Sequence, residues 1–491
     1  MTGAFADEIL VGGRWRQGTG EPLETRSPAT GEVLAVLRGA GAADVDEAVR
    51  AGAVAAADPG WRDLLPHERA RHLVRIADLI AEHAGDLAAL QTADTGKSIN
   101  ETRALVASAQ GTFRYVAAAL ETMEGALTPP RGPYLTMSVH EPIGVVGAIT
   151  PWNSPIASDA QKIAPALAGG NAVVLKPAEW TPLVSLALGR LIMDAGLPPG
   201  LLSVLPGPGA VTGDALVRHP GVGKVSFTGG TATGRAIGAV AAQKIMPVSL
   251  ELGGKSPTIV FPDADREQAL AGLLFGVFSS SGQSCVAGSR VFVHDSIYEE
   301  FVSELVRRAG KLRVGPGTDP ATQVAPMAAH AHRDRVAAMV DRAREAGARV
   351  RCGGRAPEGE AYERGAYYLP TILDGVPNDA PICQEEVFGP VLVALPFADE
   401  DDLVAQANAS VYGLACGIWT GDYRTAWRVA RRIEAGTVWI NTYKQFSIST
   451  PFGGMKDSGL GREKGREGIL GYMRQKSVYW GLDDSPLPWA G

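Results

Sequence analysis

The chain has 491 residues, 45% hydrophobic and 20% charged, with a formal net charge of −7. That length exceeds one ordinary core and predicts two or three domains, and the mild acidity argues against a nucleic-acid partner, which would favour a basic face. The 60 glycines follow no collagen period, and the longest apolar run, residues 269–278, is about half of the ~20 needed to cross a bilayer.

Residues 1–8 meet acidic side chains before any apolar run forms, so no signal peptide is expected and the protein reads as cytoplasmic and free of membrane contacts. Residues 9–15 read as a short hairpin around Gly12-Gly13. Apolar residues at three- and four-residue spacing then predict helices over 44–57 and 68–90. Residues 134–140 alternate as an exposed strand would. From Gly144 the rhythm becomes that of strand and helix in turn. Apolar strands are expected at 144–149, 172–175, 201–205, 224–227 and 247–250, with helices reaching 168 and spanning 183–195 between them. Continuously apolar strands of this kind build a parallel sheet covered on both faces, whose ligands sit at the strands' carboxyl ends. A second α/β block runs from about Gly253 to Thr450. The tail, with Tyr479, Trp480 and Trp489 among few charges, reads as a strand or arm packed on another subunit or back on its own domain.

Four cysteines, Cys285, Cys352, Cys383 and Cys416, are scattered with no CxxC pair, so neither a disulfide scaffold nor a zinc site is expected. His330 and His332 are two apart, no HExxH occurs, and both read as solvent-facing helix residues. No metal site is expected.

Two segments carry chemistry. Glu251 ends an apolar strand in Leu250-Glu251-Leu252-Gly253-Gly254-Lys255, where a carboxylate is either a turn residue or a general base at a strand's mouth. Cys285 follows the small polar segment Ser279-Ser280-Ser281-Gly282-Gln283-Ser284, whose exposure and donors would favour a thiolate. A lone cysteine is more often a small buried hydrophobe. Together, however, the two supply a nucleophile to hold an acyl group and a base to activate water.

These segments, with Ser256-Pro257 added, resemble the aldehyde dehydrogenase superfamily. The resemblance runs from about Leu10 to Tyr479 and includes, in order, Pro151-Trp152-Asn153-Ser154-Pro155, Lys176-Pro177-Ala178-Glu179, Phe227-Thr228-Gly229-Gly230, Glu385-Glu386-Val387-Phe388-Gly389-Pro390 and Pro451-Phe452-Gly453-Gly454. It implies that Cys285 attacks an aldehyde and that the Asn153 amide and the Cys285 N–H hold the oxyanion. Glu251 would then activate the water that hydrolyses the thioester.

The same resemblance implies NAD as cofactor. The G-x-G-x-x-G fingerprint does not follow strand 144–149. Instead Thr228, Gly229 and Gly230 open a helix from about Thr231, with Gly234 one turn in, and its N-terminus would take the pyrophosphate. Lys176 and Glu179 would meet the adenosine ribose, where the Glu179 carboxylate would repel a 2′-phosphate; NADP stays as the weaker alternative. Trp152, Leu252, Glu386 and Phe388 complete the implied cofactor site, the last two at the nicotinamide ribose and ring. On the substrate side, Ser154, Ser158, Gln161, Ser284, Val286, Phe446 and Phe452 match the tunnel, aromatic on one wall and small or polar on the other. A bulky or polar small-molecule aldehyde is therefore expected, aromatic, hydroxylated or a semialdehyde. No arginine at these positions offers a carboxylate clamp.

The fold expected is α/β, aldehyde-dehydrogenase-like: a Rossmann-type dinucleotide-binding domain (1–124 and 142–252), an α/β catalytic domain (253–450) and a small β oligomerisation element (125–141) with a C-terminal arm (451–491). A homodimer or homotetramer follows from the resemblance. Three alternatives keep the scaffold. A coenzyme A-acylating enzyme would generally lack the carboxylate that Glu251 supplies. A non-catalytic protein would show decay at Cys285, Glu251 or Asn153. A cofactor-free thiol hydrolase leaves Lys176, Glu179 and Gly230 without purpose.

Overall fold

A computed structural model describes residues 8–485 and Trp489. Residues 1–7, on which the expectation of no signal peptide rests, lie outside the described residues.

The alternation from Gly144 onward builds an eight-stranded sheet. Its middle is five parallel strands in the order Leu202–Val204, Ala172–Lys176, Val145–Ile149, Val222–Thr228 and Val248–Glu251. Every residue of Val145–Ile149 and Ala172–Lys176 is buried, as strands covered on both faces require. Chain order reverses between Val145–Ile149 and Val222–Thr228. At such a switch point a crevice opens at the strands' carboxyl ends. Ile149 leads there into Trp152 and Asn153, and Thr228 into Gly229-Gly230. The predicted hairpin, Ile9–Val11 with Arg14–Arg16, edges the sheet on one side. Gly459–Leu460 edges it on the other, antiparallel to Leu250-Glu251.

One predicted helix is two. Pro66–Glu82 and Ala84–Thr95 are separated at His83 (φ −106°, ψ 17°). Both pieces pack on the long helix Ile99–Leu120, so their apolar spacing runs across a break that periodicity does not register.

The second sheet has seven strands in the order Arg349–Cys352, Thr371–Asp374, Val391–Phe397, Arg290–His294, Pro257–Val260, Ala415–Trp419 and Thr437–Ile440, parallel apart from the first. Two apolar clusters cover its faces. On one face, the helix Arg266–Phe278 starts on an Asp265 cap that accepts the Gln268 N–H at 3.0 Å. It ends in a tight turn with Ser280, Ser281 and Gly282 at φ 56°, 53° and 69°. A side chain at Gly282 would run into the Gly389 carbonyl, so this glycine lets the Cys285 loop lie directly on the Glu386–Gly389 segment.

The third sheet pairs Met473–Gly481 with Tyr134–Pro142 over nine residues and adds Ala126–Thr128. Tyr479 and Trp480 remain 71% and 64% exposed on it. Among the described residues, no helix is long and apolar enough to cross a membrane.

Candidate active site

The chain leaves the first sheet at Glu251 and enters the second at Pro257, so residues 252–256 cross the seam. Ser458 pins the crossing: its carbonyl accepts the Leu252 N–H at 2.9 Å, and its hydroxyl donates to the Gly253 carbonyl at 2.7 Å. At Gly254 a Cβ would collide with the Cys285 carbonyl oxygen. Only a glycine lets the end of the Glu251 strand touch the Cys285 loop.

Asn153 reaches the same loop from the first sheet, donating its side-chain amide to the Gln283 carbonyl at 2.9 Å. Gln283 is fixed in turn, its side-chain oxygen accepting the Ala328 N–H at 2.9 Å. Cys285 keeps part of its surface exposed. Burial nevertheless pushes the thiol up to about 12; the Glu386 and Glu251 carboxylates add to the rise, and Lys444 opposes it. This runs against the expectation that the small polar segment favours a thiolate: Ser280 and Ser281 are themselves part of the tight turn, and the thiol that follows it is desolvated.

Glu251 is 5% exposed, and neither of its carboxylate oxygens has a hydrogen-bond partner among the described residues. Burial, then the neighbouring Glu463, holds its carboxyl well above the usual range, while Lys162 pulls it down. Glu463 itself forms a buried ion pair with Lys162, whose ammonium also donates to Ser226 Oγ at 3.1 Å. Gly453 makes room for the base, since a Cβ there would lie 2.8 Å from Glu251 Oε1.

The candidate cofactor residues ring the switch-point crevice. The helix Thr231–Lys244 starts at Gly230 with no side-chain cap, and a Cβ at Gly230 would meet open space. Its first N–H groups have no acceptor within the helix and suit an anion. Gly234 is needed because Leu252 packs where its Cβ would be. Thr228 ends the strand that delivers this turn. At the neighbouring strand end, the Lys176 ammonium pairs with the part-exposed Glu179 carboxylate at 3.0 Å. Across the seam, Glu386 accepts the Gly254 N–H at 2.9 Å, and burial pushes its carboxyl up to about 7. Phe388 holds a left-handed backbone (φ 57°), and its ring meets Trp152 edge-on at 5.2 Å. Uncapped N–H groups, a part-exposed carboxylate and a pair of edge-on aromatic rings fit a dinucleotide.

On the substrate side, Phe446 and Phe452 meet edge-on at 5.6 Å. The hydroxyls of Ser154 and Ser158 are 3.0 Å apart, Gln161 on the same helix is part-exposed, and Ser284 is part-exposed beside the thiol. Val286 departs from its expected place on the wall: it is 2% exposed and packs in the second sheet's core. Cys285 packs against the same cluster but keeps part of its surface open.

His332 departs too. It is buried, its ring is 5.1 Å from Trp152, and its Nε2 donates to the Phe388 carbonyl at 2.8 Å. Burial draws it down to about 4, so it stays a neutral donor. Its helix, His330–Glu345, packs on the segment 387–389 through Arg335 and Val336 as well, a contact the sequence spacing does not carry. Lys162, Glu463, Lys444 and Lys464 were also beyond sequence reading, because charged residues on a helix or between glycines ordinarily face solvent.

Known proteins match the chain over nearly its whole length. The model of the family described as "Aldehyde dehydrogenase family" matches residues 15–478. The chain is 42% identical to a phenylacetaldehyde dehydrogenase of Pseudomonas fluorescens, covering 96% of this chain and 95% of that protein. It is 43% identical to a betaine aldehyde dehydrogenase of Cereibacter sphaeroides, with 96% of each covered. The structure of an aldehyde dehydrogenase from Bacillus cereus in complex with NAD+ superposes with a TM-score of 0.94 at 40% identity, covering 97% of this chain and 96% of the other.

Proposed function

The chain belongs to the aldehyde dehydrogenase family, and from that premise we propose that it oxidises an aldehyde to the carboxylic acid with NAD, through a thioester on Cys285. The contact of the Glu251 strand end with the Cys285 loop across Gly254 carries this reading, because it brings a nucleophile and an unpartnered carboxylate to one seam.

In this mechanism the Cys285 thiol gives its proton to solvent water and its sulfur bonds to the aldehyde carbon. Asn153 keeps one amide proton on Gln283 and turns the other to the new oxyanion, with the Cys285 N–H as second donor. Gly229 and Gly230, Lys176 and Glu179, and Glu386 with Phe388 and Trp152 would hold NAD, which would supply the hydride acceptor for the thiohemiacetal. Glu251 then accepts a proton from water, the water oxygen bonds to the thioester carbon, and the carbon–sulfur bond breaks to release the acid as the sulfur takes that proton from Glu251. Desolvation raises the basicity of Glu251, which favours it as the proton acceptor of this step.

Glu251 also favours hydrolysis over transfer to coenzyme A. The exposed Tyr479 and Trp480 beside the nine-pair strand ladder support a homodimer or homotetramer built on the third sheet. A cytoplasmic location fits the four unpaired cysteines. The test is NADH formation, followed by absorbance, with aliphatic, aromatic, hydroxylated and semialdehyde substrates. Reduction of NAD with at least one class supports the reading. None with NAD or NADP, under conditions where coenzyme A restores it, overturns the hydrolytic mechanism.

A further inference from the structure

Two lysines stand on the substrate side of Cys285, and they are differently committed. Lys444 donates to Ser279 Oγ at 2.9 Å and has Glu101 as the nearest opposite charge. Lys464 has no hydrogen-bond or ion-pair partner among the described residues. Its ammonium lies instead over the rings of Phe446 and Phe452, 4.3 and 5.2 Å from their centroids. These are the aromatic residues of the candidate tunnel, and the Cys285 thiol and Glu251 carboxyl lie within its electrostatic reach. The backbone at Lys464 is also unusual. At φ 61°, ψ 175° it occupies a region nearly confined to glycine, and Gly465 follows at φ 60°. A lysine here costs strain and desolvation, and the charges of Glu463 and Glu251 act on it only at a distance, with no direct ion pair among the described residues.

We propose that Lys464 is the specificity residue of the tunnel and that the preferred substrate is an aldehyde carrying a carboxylate at its far end. The proposal rests on the reading of Cys285 and Glu251 as the catalytic pair. Phe446 and Phe452 flank the ammonium, so the body of the substrate lies against their rings while its carboxylate takes the three unused N–H donors. A ring-faced cation also repels a cationic aldehyde. The aromatic faces that would attract a trimethylammonium group are already taken by the protein's own charge.

The test compares kcat/KM for para-carboxybenzaldehyde against benzaldehyde, and for succinic semialdehyde against butanal, with betaine aldehyde as the cationic control. In the wild-type protein each carboxylated member is expected to exceed its neutral partner by about tenfold or more, and betaine aldehyde to be the poorest. Lys464→Met, which keeps the apolar stem, should collapse that ratio mainly through KM, and Lys464→Arg should preserve it. Wild-type preference for the neutral members, or for betaine aldehyde, overturns the proposal. So does an equal loss for both members in Lys464→Met with a shifted pH profile of Cys285 alkylation by iodoacetamide, which would assign the lysine to the thiolate. Oxidation of no aldehyde at all would instead refute the underlying catalytic reading, and the proposal with it.

Discussion

Asn153 donates its side-chain amide to the Gln283 carbonyl at 2.9 Å, two residues before Cys285, and so ties the first sheet's crevice to the nucleophile's loop. The bond fixes which way the amide faces and leaves one proton for a developing oxyanion. Asn153→Ala should lower kcat by about 3 kcal/mol, two to three orders of magnitude, while NAD affinity by fluorescence titration stays near wild type. A kcat within a few-fold of wild type would remove Asn153 from the oxyanion site.

Gly254→Ala should act through geometry alone. The added methyl meets the Cys285 carbonyl, which is backbone and gives way only if the loop moves. A displacement of about 1 Å at a reacting atom costs on the order of 10²-fold in rate. Steady-state kcat on the best aldehyde measures it, with circular dichroism confirming an intact fold.

The pH profile should respond to Glu463. Its negative charge raises the Glu251 carboxyl, so removing that charge lowers it. Glu251 then stays ionised, and able to act as a base, to lower pH. In Glu463→Gln the acidic limb of kcat is therefore expected to move to lower pH. The same change strips Lys162 of its buried partner, so thermal unfolding should show a loss of about 3–5 kcal/mol. An acidic limb that moves upward would contradict the assignment.

Cofactor choice should turn on Glu179, whose carboxylate pairs with Lys176 at 3.0 Å. Against a 2′-phosphate that carboxylate contributes repulsion of about 1 kcal/mol or more in a solvated setting. Glu179→Gln is expected to raise kcat/KM with NADP relative to NAD by roughly five- to tenfold, read from initial rates with each cofactor.

Much of this was legible in the chain because local rules agreed. Apolar strands such as that at 172–175 announce a covered parallel sheet, and the glycines at 229, 254 and 282 stand at close approaches that the structure contains. What stayed hidden is what depends on two distant segments meeting. The break at His83 lies inside an unbroken apolar spacing. Val286 is turned into the core by a tight turn. His332, Lys162 and Lys464 carry polar side chains that the usual exposure of such residues assigns to solvent, and only the folded seam reveals what faces them.

The central claim, a thioester on Cys285 hydrolysed by water that Glu251 activates, is tested most directly by intact-protein mass spectrometry of Glu251→Gln mixed with NAD and an aldehyde. The account predicts a stable adduct equal in mass to the aldehyde less two hydrogens, mapped to Cys285 and absent from Cys285→Ala. Undiminished turnover without an adduct, or an adduct on another residue, would contradict it.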